Sequence, residues 1–399
     1  MRALAAGLLA LTLALPALAD WAFTDAEAVS GEPQAKLFPH LESAGRGNLA
    51  ASGDRLAVVW EDNRDGSPQV YVALRALDRP GFAAPLRLSA GREAYEPVVV
   101  GLDAGRFLAA FEQDGKVVAR VFSAAAQGAL TQLDAAVSAQ ITLTAIGKRI
   151  HAAWGRRDGR FLRLVSAPLT VDGLQIRSGA ARAVDLSPAQ DEQLYASLAA
   201  TSKGYAIAWE DRRAGHTRLL TATSSDGAQW STPRPLNEIP HSSSAAELGL
   251  GRGPGVTRVS LAGDGAATVA AVWMDKRDFL SGYDIYAGVS TDHGASFGAN
   301  EKAQDAFGAE KPQWHPAVAV TPHGVVAAWD DPRDDSPDIW LSTRLGEKDW
   351  SDDFTLDGAA GPGSQDNPVL LWHGGRLHLA WVHKGADGAQ VRYAQGRWE

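Results

Sequence analysis

One pattern recurs seven times along the 399 residues: a short run of small and β-branched residues ending in a large aromatic. The copies are LAVVW at Trp60, FLAAF at Phe111, IHAAW at Trp154, YAIAW at Trp209, VAAVW at Trp273, VVAAW at Trp329 and LHLAW at Trp381, spaced 43 to 64 residues apart. A second apolar run and a turn rich in Gly, Asp or His precede the anchors, as in PVVVGLDAGR (97–106) and PAVAVTPHG (316–324). A polar turn and a third alternating run follow, as in QVYVALR (69–75) and DIWLSTR (338–344), and then a fourth segment such as PLRLSA (85–90), RPLNEI (234–239) or DFTLDG (353–358). Period-two alternation in four short segments per repeat predicts a four-stranded antiparallel unit, and units repeated in this way close into a β-propeller. A helical solenoid would need apolar residues at 3.6 spacing over longer windows, which the chain lacks. The expectation is an all-β protein, a single propeller of seven blades, with six blades and an irregular insert near Phe111 or Trp154 as the other count.

The last copy offers three strands, PVLLW, LHLAWV and QVRYAQ, while Asp20–Val29 resembles the fourth-strand segments that start at Trp230 and Trp350. The N-terminal strand is therefore expected to complete the last blade and remove the open edge of the ring. The 64-residue gap is explained by a long inter-blade loop over Pro240–Pro254. Before Asp20, Met1-Arg2 leads an apolar stretch from Ala3 to Leu15 and then Pro16-Ala17-Leu18-Ala19, the layout of a secretory signal cleaved after Ala19. The expectation is two parts, a leader over 1–19 and one propeller domain over 20–399, exported to the periplasm or beyond as a monomer. No later segment approaches the ~20 apolar residues of a membrane span. A formal charge of −9 excludes nucleic acid as a natural partner, and the absence of cysteine excludes disulfides, thiol nucleophiles and thiolate metal sites.

Four anchors continue with acid and arginine: Trp60-Glu61-Asp62-Asn63-Arg64, Trp209-Glu210-Asp211-Arg212-Arg213, Trp273-Met274-Asp275-Lys276-Arg277 and Trp329-Asp330-Asp331-Pro332-Arg333. On one reading this is a staple, in which Asp accepts backbone N–H groups of the turn and Arg pairs with a carboxylate. Repetition favours that reading, because a unique site has no reason to be copied four times. On the other, Arg64, Arg213, Arg277 and Arg333 surround an anionic ligand.

Ser290-Thr291-Asp292-His293-Gly294-Ala295-Ser296-Phe297 fits S-x-D-x-G-x-S/T-F/W, and Ser224-Ser225-Asp226-Gly227-Ala228-Gln229-Trp230 is the same turn one residue shorter. On this Asp-box the chain resembles the sialidase superfamily, and the W-x-D-x-R…D-I-Y pattern is similar to repeats of exported bacterial propellers of that kind. The resemblance implies a propeller with the Asp-boxes on the face away from the active site. It also implies an enzyme of six blades with a Phe-Arg-Ile-Pro motif, an arginine triad, a Tyr–Glu nucleophile pair and an Asp acid/base. No Phe-Arg-Ile-Pro occurs here, its nearest counterpart being Gly45-Arg46-Gly47-Asn48-Leu49.

Counting back from the anchors aligns the start of each inner strand, at Arg46, Glu96, Gln140, Tyr195, Thr257, His315 and Asn367. All seven are polar and belong at the mouth that the W-x-D-x-R turns share, where a wet channel entrance and a site are both consistent with such a ring. His315, with Trp314 beside it as a sugar-stacking platform, is the most conspicuous member. The candidate ligand-binding set is thus Arg46, His315, Trp314 and Asn367 together with the four turn arginines. No cofactor is called for; calcium at Asp330–Asp335 is the weaker option, since that run carries its own Arg333. Two functions follow. The first is an exported, non-catalytic scaffold that binds a glycan or an envelope protein. The second is a sialidase-type exo-glycosidase with Tyr195 as nucleophile, Glu96 as its base and Asp62 as acid, acting on a terminal acidic sugar.

Overall fold

Alternating Val, Ala and aromatic residues between Gly- and Asp-rich turns give seven separate antiparallel sheets, and the computed structural model describes residues 20–188, 190–238, 255–277, 282–308, 310–346 and 349–399. From axis to rim, blade 1 is Leu49–Ser52, Arg55–Asp62, Gln69–Ala76 and Leu86–Arg87. Blade 2 is Ala94–Gly101, Phe107–Gln113, Lys116–Phe122 and Thr131–Gln132. Blade 3 is Ser138–Ile146, Arg149–Asp158 and Phe161–Asp172, with Gln175–Ser178 and Arg182–Ala183 both paired to its third strand. Blade 4 is Gln193–Thr201, Gly204–Asp211, Arg218–Ser224 and Arg234–Pro235. Blade 5 is Val256–Gly263, Val269–Asp275, Asp284–Ser290 and Glu301–Lys302. Blade 6 is Trp314–Thr321, Gly324–Asp334, Ser336–Leu345 and Asp349–Trp350. Blade 7 is Ser364–His373, Arg376–Gly385 and Gly388–Trp398, completed by Trp21–Phe23 and Glu27–Ala28 from the other end of the chain.

The protein is a seven-bladed β-propeller, and the seven-blade count holds. In blade 6 the fourth strand is Asp349–Trp350 rather than 353–358, where Phe354 makes only an isolated bridge to Leu341. The leader Met1–Ala19 and the segment Pro240–Pro254 lie outside the described residues.

Every anchor is fully buried, and each packs against the blade before its own: Trp60 on blade 7, Phe111 on blade 1, Trp154 on blade 2, and so on round to Trp381 on blade 6. Burying one such side chain is worth roughly 1.5–3 kcal/mol, so the seven anchors supply much of the inter-blade cohesion. The N-terminal strand closes the ring as the repeat count requires. Trp21 pairs with Trp398, and its indole donates to Thr343 Oγ1 of blade 6 at 3.0 Å.

Inner strands all begin on one face, here the entry face, where the W-x-D-x-R turns and inter-blade connections also lie. The Asp-box turns lie on the opposite, exit face, between third and fourth strands. Asp292 accepts Ser296 N at 2.9 Å, Ser290 Oγ accepts Gly294 N at 2.8 Å, and Gly294 adopts φ +84. A Cβ on Gly294 would meet Ala206 Cβ of blade 4 at 2.5 Å, so this turn is also a blade-to-blade contact.

Candidate functional site

The aligned inner-strand starts share a backbone feature. Arg46, Glu96, Gln140, Tyr195, Arg258, His315 and Asn367 all have φ between 47 and 59, a left-handed conformation that costs an L-residue ~1 kcal/mol or more. In blades 2 to 7 the ladder register shifts across this residue, so each is the pivot of a β-bulge. The blade 5 member is Arg258, not Thr257. The anchor count falls one residue short there, and Thr257 instead donates from its hydroxyl to Glu210 at 2.6 Å.

The bulges are held from the neighbouring blade. Glu61 accepts Glu96 N at 2.9 Å, Glu112 accepts Gln140 N at 2.6 Å, Glu210 accepts Arg258 N at 2.8 Å and Asp330 accepts Asn367 N at 2.9 Å. Each acceptor is the residue immediately after an anchor. Blade 3 has Gly155 there, and the Gln140 side chain takes over, accepting Tyr195 N at 2.9 Å. These carboxylates were not singled out from the sequence, although the tandem acids Glu61-Asp62, Glu210-Asp211 and Asp330-Asp331 carry the signal. Successive strand residues face opposite sides, so the first acid reaches the next blade while the second turns back into its own.

That second acid makes the staple. Asp62 accepts the Trp60 indole at 2.7 Å, Arg64 N at 3.0 Å and Arg64 Nε at 2.9 Å. Asp211 holds Trp209 and Arg213, Asp275 holds Trp273 and Arg277, and Asp331 holds Trp329 and Arg333 in the same manner. In blade 3, Asp134 plays this part for Trp154 and Arg156. Arg64, Arg213, Arg277 and Arg333 therefore do not converge on a common ligand position; each is tied into its own blade. Asp62 is likewise buried in its staple and does not reach the mouth as an acid.

The mouth itself is crowded with charge. The connection into blade 1 crosses the axis as a short 3-10 turn, Ala44–Arg46. Gly45 O accepts Ser260 Oγ of blade 5 at 3.3 Å, and Glu42 pairs with Arg258 at 2.7 Å. Arg46 donates to Pro368 O at 2.8 Å and to Asn367 Oδ1 at 3.3 Å, and burial draws its pKa down to about 10. Burial, reinforced by Glu112, Glu42 and Glu61, pushes Glu96 up to about 8, against the opposing pull of Arg258. Burial pushes Glu61 up to about 7, and Glu112 and Glu210 rise for the same reason. Glu96 Oε2 is buried without a hydrogen-bond partner among the described residues, as is one terminal nitrogen, Nη1, of Arg258.

Tyr195 and Glu96 do face the same mouth, but not as a nucleophile and its base. The Arg258 guanidinium covers the Tyr195 ring at 3.7 Å, and burial raises the phenol pKa instead of lowering it. His315 Nδ1 and Asp330 Oδ1 are 2.8 Å apart, with Trp314 exposed beside them, edge-on to Tyr283. Among the described residues no three acidic or histidine side chains are grouped as a metal site. In the Asp330–Asp335 run, Asp330 is spent on His315 and Asn367, and Asp331 on the staple. Below the plug the axial channel encloses about 400 Å³, and it runs into a groove of about 890 Å³ between blades 5, 6 and 7 on the exit face.

No family model and no curated protein matches the chain. Solved structures do. A protein of unknown function from Dyadobacter fermentans aligns at TM-score 0.56 and 12% identity, over 95% of this chain and 99% of that one. The Cps50 (Swd1) β-propeller domain of Myceliophteria thermophila aligns at 0.53 and 13%, over 94% and 99%. An α-L-arabinanase of Penicillium chrysogenum complexed with arabinobiose aligns at 0.50 and 13%, over 75% and 92%. At these identities the likeness is one of fold. The propeller implied by the Asp-box resemblance is present, with seven blades where sialidases have six.

Proposed function

We propose that this is an exported, non-catalytic propeller that holds a glycan or an envelope protein at its entry face. The observation that carries the reading is the use made of the polar ring. Its backbone N–H groups and facing acids are spent on joining blades, and its one tyrosine is covered by a guanidinium. A glycosidase needs an acid, a nucleophile and its base free to meet substrate, and Asp62, Tyr195 and Glu96 do not supply them together. A glycan ligand has only analogy of fold behind it, through the arabinanase, and fold does not carry function with it. Export rests on the Met1–Ala19 leader pattern.

The test is hydrolysis of a panel of fluorogenic glycosides that includes an α-sialoside and an α-L-arabinofuranoside. No release above the buffer rate is expected. Turnover of any member would overturn the scaffold reading.

A further inference from the structure

Seven large hydrophobic side chains are exposed among the described residues, and five of them are on the entry face. Phe38 lies in the connection into blade 1, Val137 in that into blade 3, Leu186 in that into blade 4, Phe307 in that into blade 6, and Trp314 at the first residue of blade 6. Leu186 and Phe307 are 89% and 77% exposed. Scattered exposed apolar residues are ordinary, but five gathered on one face around a polar mouth are the pattern of a docking surface.

The charge of the mouth says what enters it. Glu61 and Glu112 accept backbone N–H groups, and Glu96 Oε2 accepts nothing. Arg258, which acts on Glu96, is itself bound to Glu42, and Arg46 is bound to Pro368 and Asn367. The mouth thus carries more carboxylate than cation, which repels an anionic sugar and attracts a cationic side chain. We propose that the entry face docks a partner protein that inserts a lysine or arginine side chain into this mouth, with the apolar tips closing around it. The proposal rests on the binding reading above and names the kind of partner. Ringing a desolvated charge with apolar contacts that exclude water strengthens the attraction at its centre.

A proton linkage follows. Glu61 and Glu96, facing Glu42, Glu112, Asp62 and Arg258, are partly protonated near neutrality. A bound cation favours their ionised forms, so association releases protons and tightens as pH rises from 6 to 8.5. A neutral sugar held by a protonated Glu96 would show the opposite trend.

The protein, produced with its own leader, is panned against a random peptide library on phage, and a glycan array is probed in parallel. Enriched peptides are expected to carry a basic residue flanked by apolar ones. Their binding should weaken at least tenfold in E61Q/E96Q and in L186D/F307D, stay unchanged in L345D on the exit face, and tighten severalfold from pH 6 to 8.5. Circular dichroism confirms folding, and Leu186 and Phe307 are exposed enough for substitution to leave the fold intact. Enrichment without basic residues, or binding that survives L186D/F307D, overturns the proposal. Glycan binding abolished by the same variants replaces the protein partner with a sugar and leaves the scaffold standing. If neither peptides nor glycans bind, the scaffold reading falls with it.

Discussion

Removing one charge from the same staple in two different blades separates a structural arginine from a ligand-binding one. In blade 6, Asp331 accepts the Trp329 indole at 3.0 Å, Arg333 N at 3.0 Å and Arg333 Nε at 2.9 Å, and the Arg333 side chain is only 2% exposed. Asp331→Asn leaves that guanidinium out of water with Asp353, 2.9 Å away, as its remaining hydrogen-bonded carboxylate. Breaking a buried pair from one side costs ~3–5 kcal/mol, and the surviving Asp353 contact places this case near ~3 kcal/mol. In blade 1 the Arg64 side chain is 22% exposed and can turn to solvent, so Asp62→Asn should cost only ~1 kcal/mol. With an unfolding entropy of ~2.1 cal/mol/K per residue over roughly 380 residues, these become Tm losses of about 4 °C and about 1 °C. Thermal melts followed by circular dichroism, checked by urea denaturation, read both. Equal losses, a reversed order, or no loss in Asp331→Asn would refute the staple. If the arginines were held for an anionic ligand, freeing them would leave stability unchanged and strengthen anion binding.

Three other outcomes are expected. Glu61 and Glu96, near 7 and 8 when folded and ~4.3 when unfolded, make the folded chain hold more protons, so their contribution to stability falls as pH rises through that interval. The Tm should therefore be lower at pH 8.5 than at pH 6.5, and Glu96→Gln should remove part of the drop. Trp21→Ala deletes a buried side chain that closes the ring against Trp398 and Thr343, at a cost of ~3–5 kcal/mol in urea denaturation. Gly294→Ala combines φ +84 with a 2.5 Å contact to Ala206 Cβ, and should cost ~2–4 kcal/mol in the same assay; a neutral result would mean that the Asp-box turn does not join blades 4 and 5.

The architecture was legible because the anchor repeat is a packing rule written seven times: Trp60 through Trp381 each fill the gap to the preceding blade, and missing edge strands announce how the ring closes. The mouth was legible to within one residue, since counting from an anchor finds a bulge pivot wherever the intervening turn keeps its length. The length changes between Thr257 and Trp273, which is why Arg258 was missed. The acids after the anchors were hidden for a different reason. Glu61 and Asp62 look alike in sequence, and only strand alternation assigns one to the neighbouring blade and the other to the staple. The plug at Ala44–Arg46 was not legible at all. Its path across the axis depends on contacts with blade 5, more than 200 residues away in the chain.

Covalent trapping tests the absence of catalysis most directly. The protein is incubated with fluorinated glycosyl fluorides of a sialic acid and of arabinofuranose, which arrest a retaining glycosidase at its glycosyl-enzyme intermediate, and its intact mass is then measured. With Tyr195 covered by Arg258 and its phenol pKa raised, the mass should remain that of the unmodified chain. A mass gain of one glycosyl group that maps to Tyr195 and disappears in Tyr195→Phe would contradict the scaffold reading and make the mouth an active site.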